Sequence, residues 1–231
     1  MNSSAPLSVV IPTLDAAASL PATLATMELA RAQGLLREIV VADGGSADAT
    51  AAIAEAAGAT VLRGPRGRGQ QLAAGAAAAS GEWICFLHAD TKLEPRWCEA
   101  VQRFIASPEN EERAGYFAFR LDDASAPARR LERLVAWRSR VLGLPYGDQG
   151  LVISRRFYAS LGGYLALPLM EDVALVRRIG KRRLVLLDAT AVTSSARYRR
   201  DGYLRRSLRN LFCLSLYFLG MPPRMIGRLY G

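Results

Sequence analysis

LSVVIPTLD, residues 7–15, begins as a buried strand and ends as a polar exit from it. Its first five residues form a continuous, β-branched-rich apolar run, the pattern of a strand covered on both faces. Pro12-Thr13-Leu14-Asp15 follows at the carboxyl end. The same unit recurs twice: residues 38–42 (EIVVA) lead into Asp43-Gly44-Gly45-Ser46, and residues 83–87 (WICFL) lead into His88-Ala89-Asp90-Thr91. Between these units the spacing turns helical. Residues 19–32 carry Leu20, Leu24, Met27 and Leu29, with Gly34 as the stop, and residues 48–57 and 70–79 are Ala-rich helices closed by Gly58 and Gly81. Residues 60–62 form a short strand. Such alternation predicts an α/β fold, with a mostly parallel central sheet and helices on both faces.

Beyond residue 92 the pattern is more mixed. Helices are expected over 96–106, 128–142, 171–179 and 203–219, and strands over 115–121, 151–154 and 184–187. On helix 128–142 the inward side is read as Leu131, Leu134, Val135 and Val141, with Trp137 as a packing residue; Trp83 and Trp97 are read as core. No linker or repeat divides the chain, so 1–231 is read as one domain. Within it, a strictly alternating half covers about 1–92, a more mixed half about 93–200, and a basic amphipathic segment about 201–231.

Composition excludes several classes. The chain has 231 residues, 51% of them hydrophobic and 22% charged, so wholesale disorder is ruled out. A chain of this length buries about 70–75% of its unfolded surface and needs no disulfide or structural metal. Cys85, Cys98 and Cys213 lack ligand spacing, and His88 is the sole histidine, which removes multi-His metal sites. No secretory leader pattern opens the sequence, and the apolar run 211–221 is far short of the roughly 20 residues needed to span a bilayer. The expected location is cytoplasmic, with peripheral contact at the inner face of a membrane as an option. The net charge of +9 is uneven: residues 1–60 hold two basic and six acidic residues, residues 177–231 thirteen basic and two acidic. The C-terminal part therefore either meets something anionic or carries a solvated arginine surface.

Ligands of open parallel sheets bind at the carboxyl ends of the strands. Asp15, Asp43 and Asp90 all fall there, where carboxylates can accept hydrogen bonds from a ribose or base, or hold a divalent cation. Asp-Gly is also ordinary turn chemistry. Arg66-Gly67-Arg68-Gly69 precedes a helix and offers amides, arginines and a helix N-terminus to a phosphate; it also reads as a basic turn. Glu171-Asp172 opens a helix, where acids are favoured in any case.

Taken in order, VVIPTLD, VVADGGSADAT, GRGQQLAAG, GEWICFLHADT, GDQG and PLMEDVALVRRIG resemble the family 2 inverting glycosyltransferases of the GT-A fold, from about residue 7 to 188. The HADT and YGDQG variants resemble the small bacterial branch called rSAM/selenodomain-associated transferase 2, linked to arsenosugar biosynthesis. The resemblance implies a nucleotide-diphosphate-sugar donor, most often a UDP-sugar, a divalent metal (Mn²⁺ or Mg²⁺), and a small-molecule or lipid-linked acceptor. Pro12, Thr13 and Asp15 match the loop that contacts the nucleotide. Asp43 with Gly44 matches the base-binding aspartate, Arg68 a basic residue near the nucleotide, and Ala89 the middle of the motif that carries the metal-binding acid Asp90. Glu171-Asp172 matches the acidic pair whose aspartate is the general base. Asp148 and Gln149 are candidates for sugar or acceptor hydroxyls, or for a structural turn.

The sequence departs from the family pattern twice. His88 stands at the first acidic position of Asp-x-Asp; a neutral imidazole suits Mn²⁺ better than Mg²⁺. Residues 193–198 lack the histidine that many relatives place after the last strand, so Arg197, Arg199 and Arg200 are expected to supply positive charge near the phosphates. Two alternatives belong to other classes. A nucleotidyltransferase would want a glycine-rich, basic first loop, whereas this one reads PTLD. A non-catalytic basic module would bind nucleotide or an anionic membrane; no nucleic-acid motif is present. The C-terminal apolar stripe, flanked by arginines, is expected to pack on the core or in a homodimer, or to lie on a membrane.

Overall fold

The computed structural model describes residues 5–230, with side chains to residue 227. Eight strands form one sheet: β1 (Leu7–Thr13), β2 (Leu36–Asp43), β3 (Thr60–Arg63), β4 (Trp83–Phe86), β5 (Thr91–Leu93), β6 (Ala114–Leu121), β7 (Leu151–Ser154) and β8 (Leu184–Thr193). Their order is β3-β2-β1-β4-β7-β6-β8-β5. The first four run parallel, as the alternation of strands and helices requires. β7 is antiparallel to β4 and β6, β8 is parallel to β6, and β5 is antiparallel to β8. The fold class is thus the expected α/β one, with a mostly parallel mixed sheet.

The period of two along each strand divides the core. Leu7, Val9 and Ile11 of β1, with Ile39 and Val41 of β2, face one layer, which also holds Leu20, Met27, Trp97 and Phe104 from the helices. Val10 and Val40 face the other, against Leu72 and Ala76 of helix Arg68–Ala78 and Leu175 of helix Glu171–Ile179. Small residues let helix Arg68–Ala78 approach closely: a Cβ on Gly75 would lie 2.3 Å from Val10 Cγ1.

Sheet polarity gathers the polar exits. β1, β2 and β4 deliver Thr13, Asp43 and His88-Ala89-Asp90 to one edge. Because β7 runs the other way, the turn Gly147–Gln149 that precedes it reaches the same edge. β8 also ends there at Thr193, and its pairing with β5 sets Thr91 opposite Thr193.

Several boundaries differ from the sequence reading. The single helix expected over 19–32 is two, Leu20–Ala25 and Glu28–Ala32, because the chain bends at Thr26-Met27 to bury Met27. β5 was not foreseen: three residues carry too little periodicity to mark a strand. β8 runs on to Thr193, since the sheet partner β6 continues beside it. Helix 128–142 is helix Ala126–Trp137 followed by a wider π-type turn over Arg138–Leu142. Of its expected inward residues, Val135 is buried, whereas Leu134 and Val141 are exposed, as is Trp137; Trp83 and Trp97 are buried as expected. The three cysteines are free and buried.

Candidate active site

Two adjoining cavities open along the polar edge. The smaller, of about 160 Å³, is lined by Arg68, His88, Asp90, Asp148, Glu171 and Asp172, together with Arg197, Tyr198, Arg206 and Asn210 from the helices after β8. The second, a groove of about 690 Å³, runs past Pro12, Thr13, Arg66, Arg68, Gln71 and the segment Ala166–Leu169, and reaches Arg197 and Arg224. Arg68 and Arg197 line both.

The groove's floor follows from strand register. Thr13 pairs with Asp43 across β1 and β2, so the Thr13 hydroxyl donates to Asp43 Oδ1 at 3.0 Å. Asp43 Oδ2 accepts from the amides of Gly45 at 3.1 Å and Ser46 at 2.9 Å, and the Ser46 hydroxyl donates to Oδ1. Burial pushes the Asp43 carboxyl up, but these four donors outweigh it and hold the group below its ordinary value. A carboxylate has about four lone-pair positions. All are used, and Asp43 is 3% exposed. Asp43 therefore builds the turn at this strand end. Gln71, which stands in the GRGQQLAAG stretch, donates to the carbonyls of Thr13 at 2.7 Å and Ala42 at 2.8 Å, tying the two strand ends together. A Cβ on Gly44 would meet this same amide at 3.0 Å. Asp15 is exposed at φ 48°, and its carboxylate accepts from the Ala47 amide at 2.8 Å.

Arg68 starts its helix rather than preceding it, and Gly67, at φ 151°, makes the entry. Gly69 is required by a close crossing: a Cβ there would lie 2.2 Å from the Leu165 carbonyl oxygen. The segment that forms the groove wall thus rests directly on the helix.

In the smaller cavity, Asp172 is held by backbone. Its Oδ2 accepts from the Gly147 amide at 2.9 Å, and its Oδ1 from the Val173 amide at 2.7 Å. Met170, at φ 66°, turns the chain so that Glu171 and Asp172 open the helix at this edge. Glu171 is buried beside Arg68 Nη1 at 3.5 Å. Burial, with the Asp172 charge, pushes its carboxyl up to about 7 against the pull of Arg68. The Asp148 carboxyl is pushed up to about 6, first by burial and then by Asp172 and Asp90, against the pull of Arg138 and Arg68. Its Oδ1 has no hydrogen-bond partner among the described residues. Burial, then the Arg68 and Arg197 cations, push the His88 imidazole down to about 3, so it is neutral. Asp90 is fixed by its own carbonyl, which accepts from the Ser194 amide at 3.1 Å.

Two residues expected near the ligand make their contacts within the protein. Gln149 is 1% exposed and turned inward: its Nε2 donates to the Phe117 carbonyl at 3.1 Å, and its Oε1 accepts from the Ser139 hydroxyl at 2.9 Å. It is the peg of its turn. Ala89 is buried, with its carbonyl accepting from the Thr23 hydroxyl at 2.9 Å. Of the three late arginines, only Arg197 reaches the cavities. Arg199 lies 3.8 Å from Asp122, and Arg200 binds Asp201 at 2.8 Å.

The profile of Glycosyl transferase family 2 matches residues 8–139, more than half of the chain. The chain belongs to that family. It is a glycosyltransferase, and Asp43, Arg68 and Asp90 lie inside the matched region, while Asp148, Asp172 and Arg197 lie beyond it. Among curated proteins no significant match is found. Solved structures of similar fold include glucosyl-3-phosphoglycerate synthase from Mycobacterium tuberculosis in complex with Mg²⁺ and UDP. That match has 23% identity over 81% of this chain and 69% of that one, with a TM-score of 0.60. The same synthase with Mn²⁺, UDP and glucosyl-3-phosphoglycerate matches at 23% identity, 81% and 70% coverage, and a TM-score of 0.56. TarS 1–349 from S. aureus matches at 16% identity, covering 91% of this transferase and 65% of that chain, with a TM-score of 0.63. At these identities the likeness is one of fold.

Helix Tyr203–Phe218 supplies residues that sequence reasoning missed. Arg206, Asn210 and Leu214 recur every four residues and face the transferase's smaller cavity. The signal was present: polar Arg206 and Asn210 interrupt an otherwise apolar helical stripe.

Proposed function

We propose that this transferase moves a sugar, with inversion, from a nucleoside-diphosphate donor to an acceptor hydroxyl, with Asp172 as general base. The observation that carries this reading is the Asp172 carboxylate, pinned by two backbone amides in a cavity shared with Asp90, Arg68 and Arg197. An inverting displacement needs a fixed carboxylate to take the acceptor's proton as the bond to the sugar forms. It also needs positive charge where the diphosphate leaves. The groove arginines Arg66, Arg68, Arg197 and Arg224 stand where a diphosphate would run from the first loop toward Asp172. Arg197 makes no hydrogen bond or ion pair among the described residues, so it is available for that charge.

The donor set fits a divalent cation that a substrate completes. No group of three or more His, Cys, Asp or Glu side chains able to cage a metal occurs among the described residues. Mg²⁺ and Mn²⁺ bound with nucleotides commonly take one or two carboxylates, water and the phosphates themselves. Asp90 would supply the carboxylate and the neutral His88 a nitrogen ligand, which favours Mn²⁺. When bound, the cation would neutralise charge developing on the departing diphosphate.

The base would sit against Pro12, Thr13 and the turn that Asp43 and Gly44 build, with Asp15 tying the first loop to that turn. Uridine is the proposed base, in keeping with the UDP complexes of the synthase of similar fold. Asp148, with its unpartnered oxygen, would hydrogen-bond a sugar or acceptor hydroxyl. The HADT and YGDQG motifs support a place in the rSAM/selenodomain-associated branch.

Thermal unfolding with UDP, GDP, CDP, ADP and dTDP, each with Mn²⁺, Mg²⁺ or EDTA, tests the reading. A ligand at about 100 times its dissociation constant adds roughly 2.7 kcal/mol, an easily measured shift. The expected result is stabilisation by UDP with Mn²⁺, lost with EDTA and in Asp90→Ala. Absence of a shift with every diphosphate would overturn it.

A further inference from the structure

Helix Tyr203–Phe218 has two faces of opposite use. Arg206, Asn210, Leu214 and Tyr217 point inward, to the smaller cavity and to a small apolar cluster with Leu144, Val173 and Val176. About 200° around the helix, Leu204, Leu208, Leu211 and Phe212 form a stripe left open to solvent, continued by Leu219, which is 83% exposed. The neighbouring helix Ala126–Trp137 and the turn after it add Leu134, Trp137, Val141 and Leu142, all exposed. Nine large apolar side chains on two neighbouring helices and the residues directly after them are thus exposed, a concentration that marks interaction surfaces.

The charge around this surface identifies its occupant. Arg205 is exposed beside Leu204 and Leu208, while Arg206 and Arg209 of the same helix pair with Asp201. Arg130, Arg133 and Arg140 are exposed on the same side of their helix as Leu134 and Trp137, at helical spacing. The only acid of that helix and turn, Glu132, is neutralised by Arg129 at 2.6 Å. A second copy docked face to face would set arginines against arginines, since a two-fold interface pairs each patch with itself. An anionic bilayer instead accepts all three features: apolar side chains enter the acyl boundary, arginines meet lipid phosphates, and a tryptophan sits at the headgroup level. No described helix is long and apolar enough to cross a membrane, so the contact lies in the plane of the surface. We propose that the exposed faces of helices Ala126–Trp137 and Tyr203–Phe218 dock this transferase on an anionic phospholipid surface.

Co-sedimentation of the full chain with vesicles of phosphatidylcholine alone, or mixed with phosphatidylglycerol, tests this. The protein is expected to pellet only with the mixed vesicles, and less so at high salt. Leu208→Glu, Phe212→Glu and Trp137→Glu, all at exposed positions, are each expected to weaken binding by about tenfold or more. A second readout needs no destabilising change. Trp83 and Trp97 are buried, so a blue shift in emission on adding mixed vesicles belongs to Trp137 and disappears in Trp137→Phe. The proposal is overturned if mixed vesicles do not bind, or if binding survives all three glutamates undiminished. It is equally overturned if those glutamates dissociate a dimer while leaving vesicle binding intact, which would assign the face to a second copy.

Discussion

Asp172 and Asp43 are both acids at a strand or helix end, and their surroundings give them different tasks. Asp43 is saturated by four donors and holds a turn, whereas Asp172 is held by two amides and still lines the cavity. Asp172→Asn keeps shape and removes the base. Its expected effect is a loss of transfer rate of roughly 10²–10⁴ with nucleotide affinity retained, read by single-turnover kinetics beside calorimetry. Retained rate would remove Asp172 from the chemistry. Asp43→Ala should instead loosen the Gly44–Ser46 turn and lower nucleotide affinity without a separate effect on the chemical step. The two variants look alike in sequence, and only the hydrogen-bond partners separate them.

Helix Arg68–Ala78 is the element on which the groove depends. Its inner side sets Gly75 and Ala76 beside Leu72 because β1 lies directly beneath, and its first turn holds Gly69 because segment 165–167 crosses above. Gly75→Ala places a methyl within 2.3 Å of Val10 Cγ1. The helix must then lift from the sheet, at a cost of about 1–3 kcal/mol in denaturant unfolding. Because Gln71 on the same helix joins the Thr13 and Ala42 carbonyls, the displacement should also weaken nucleotide binding. A variant with wild-type stability would show that the helix can shift freely. The Ala-rich composition makes this helix legible in the sequence. That its N-terminus serves the groove while Gln71 clasps two strands depended on crossover geometry.

At the scale of the whole molecule, carboxyls crowded at one sheet edge make an unusual contribution to stability. Burial pushes Asp148 up to about 6 and Glu171 up to about 7 in the folded protein, while the unfolded chain titrates at ordinary values. Between those limits the folded state binds protons that the unfolded state has released. Their contribution is therefore full below the ordinary carboxylate value and is lost as pH rises through about 6 to 7, opposite to that of a paired carboxylate. Asp148→Asn should flatten this part of the curve of melting temperature against pH, and Mn²⁺ with UDP should oppose the loss on the alkaline side. An unchanged curve in Asp148→Asn would show that Asp148 titrates normally. The crowding follows from topology: β7 runs against β4, so the turn carrying Asp148 meets Asp90 and Asp172. The sequence by itself determined the α/β class, the strand exits Thr13, Asp43 and Asp90, and the helix that Asp172 opens. Those features are local, written in apolar runs, turn residues and helix ends that act over a few residues. Tertiary structure alone decided that Gln149 turns inward, that Arg197 rather than Arg199 or Arg200 faces the groove, and that Trp137 is open to solvent. Each of those outcomes depends on which distant segment covers a side chain, and a single sequence's short-range pattern does not encode that partner.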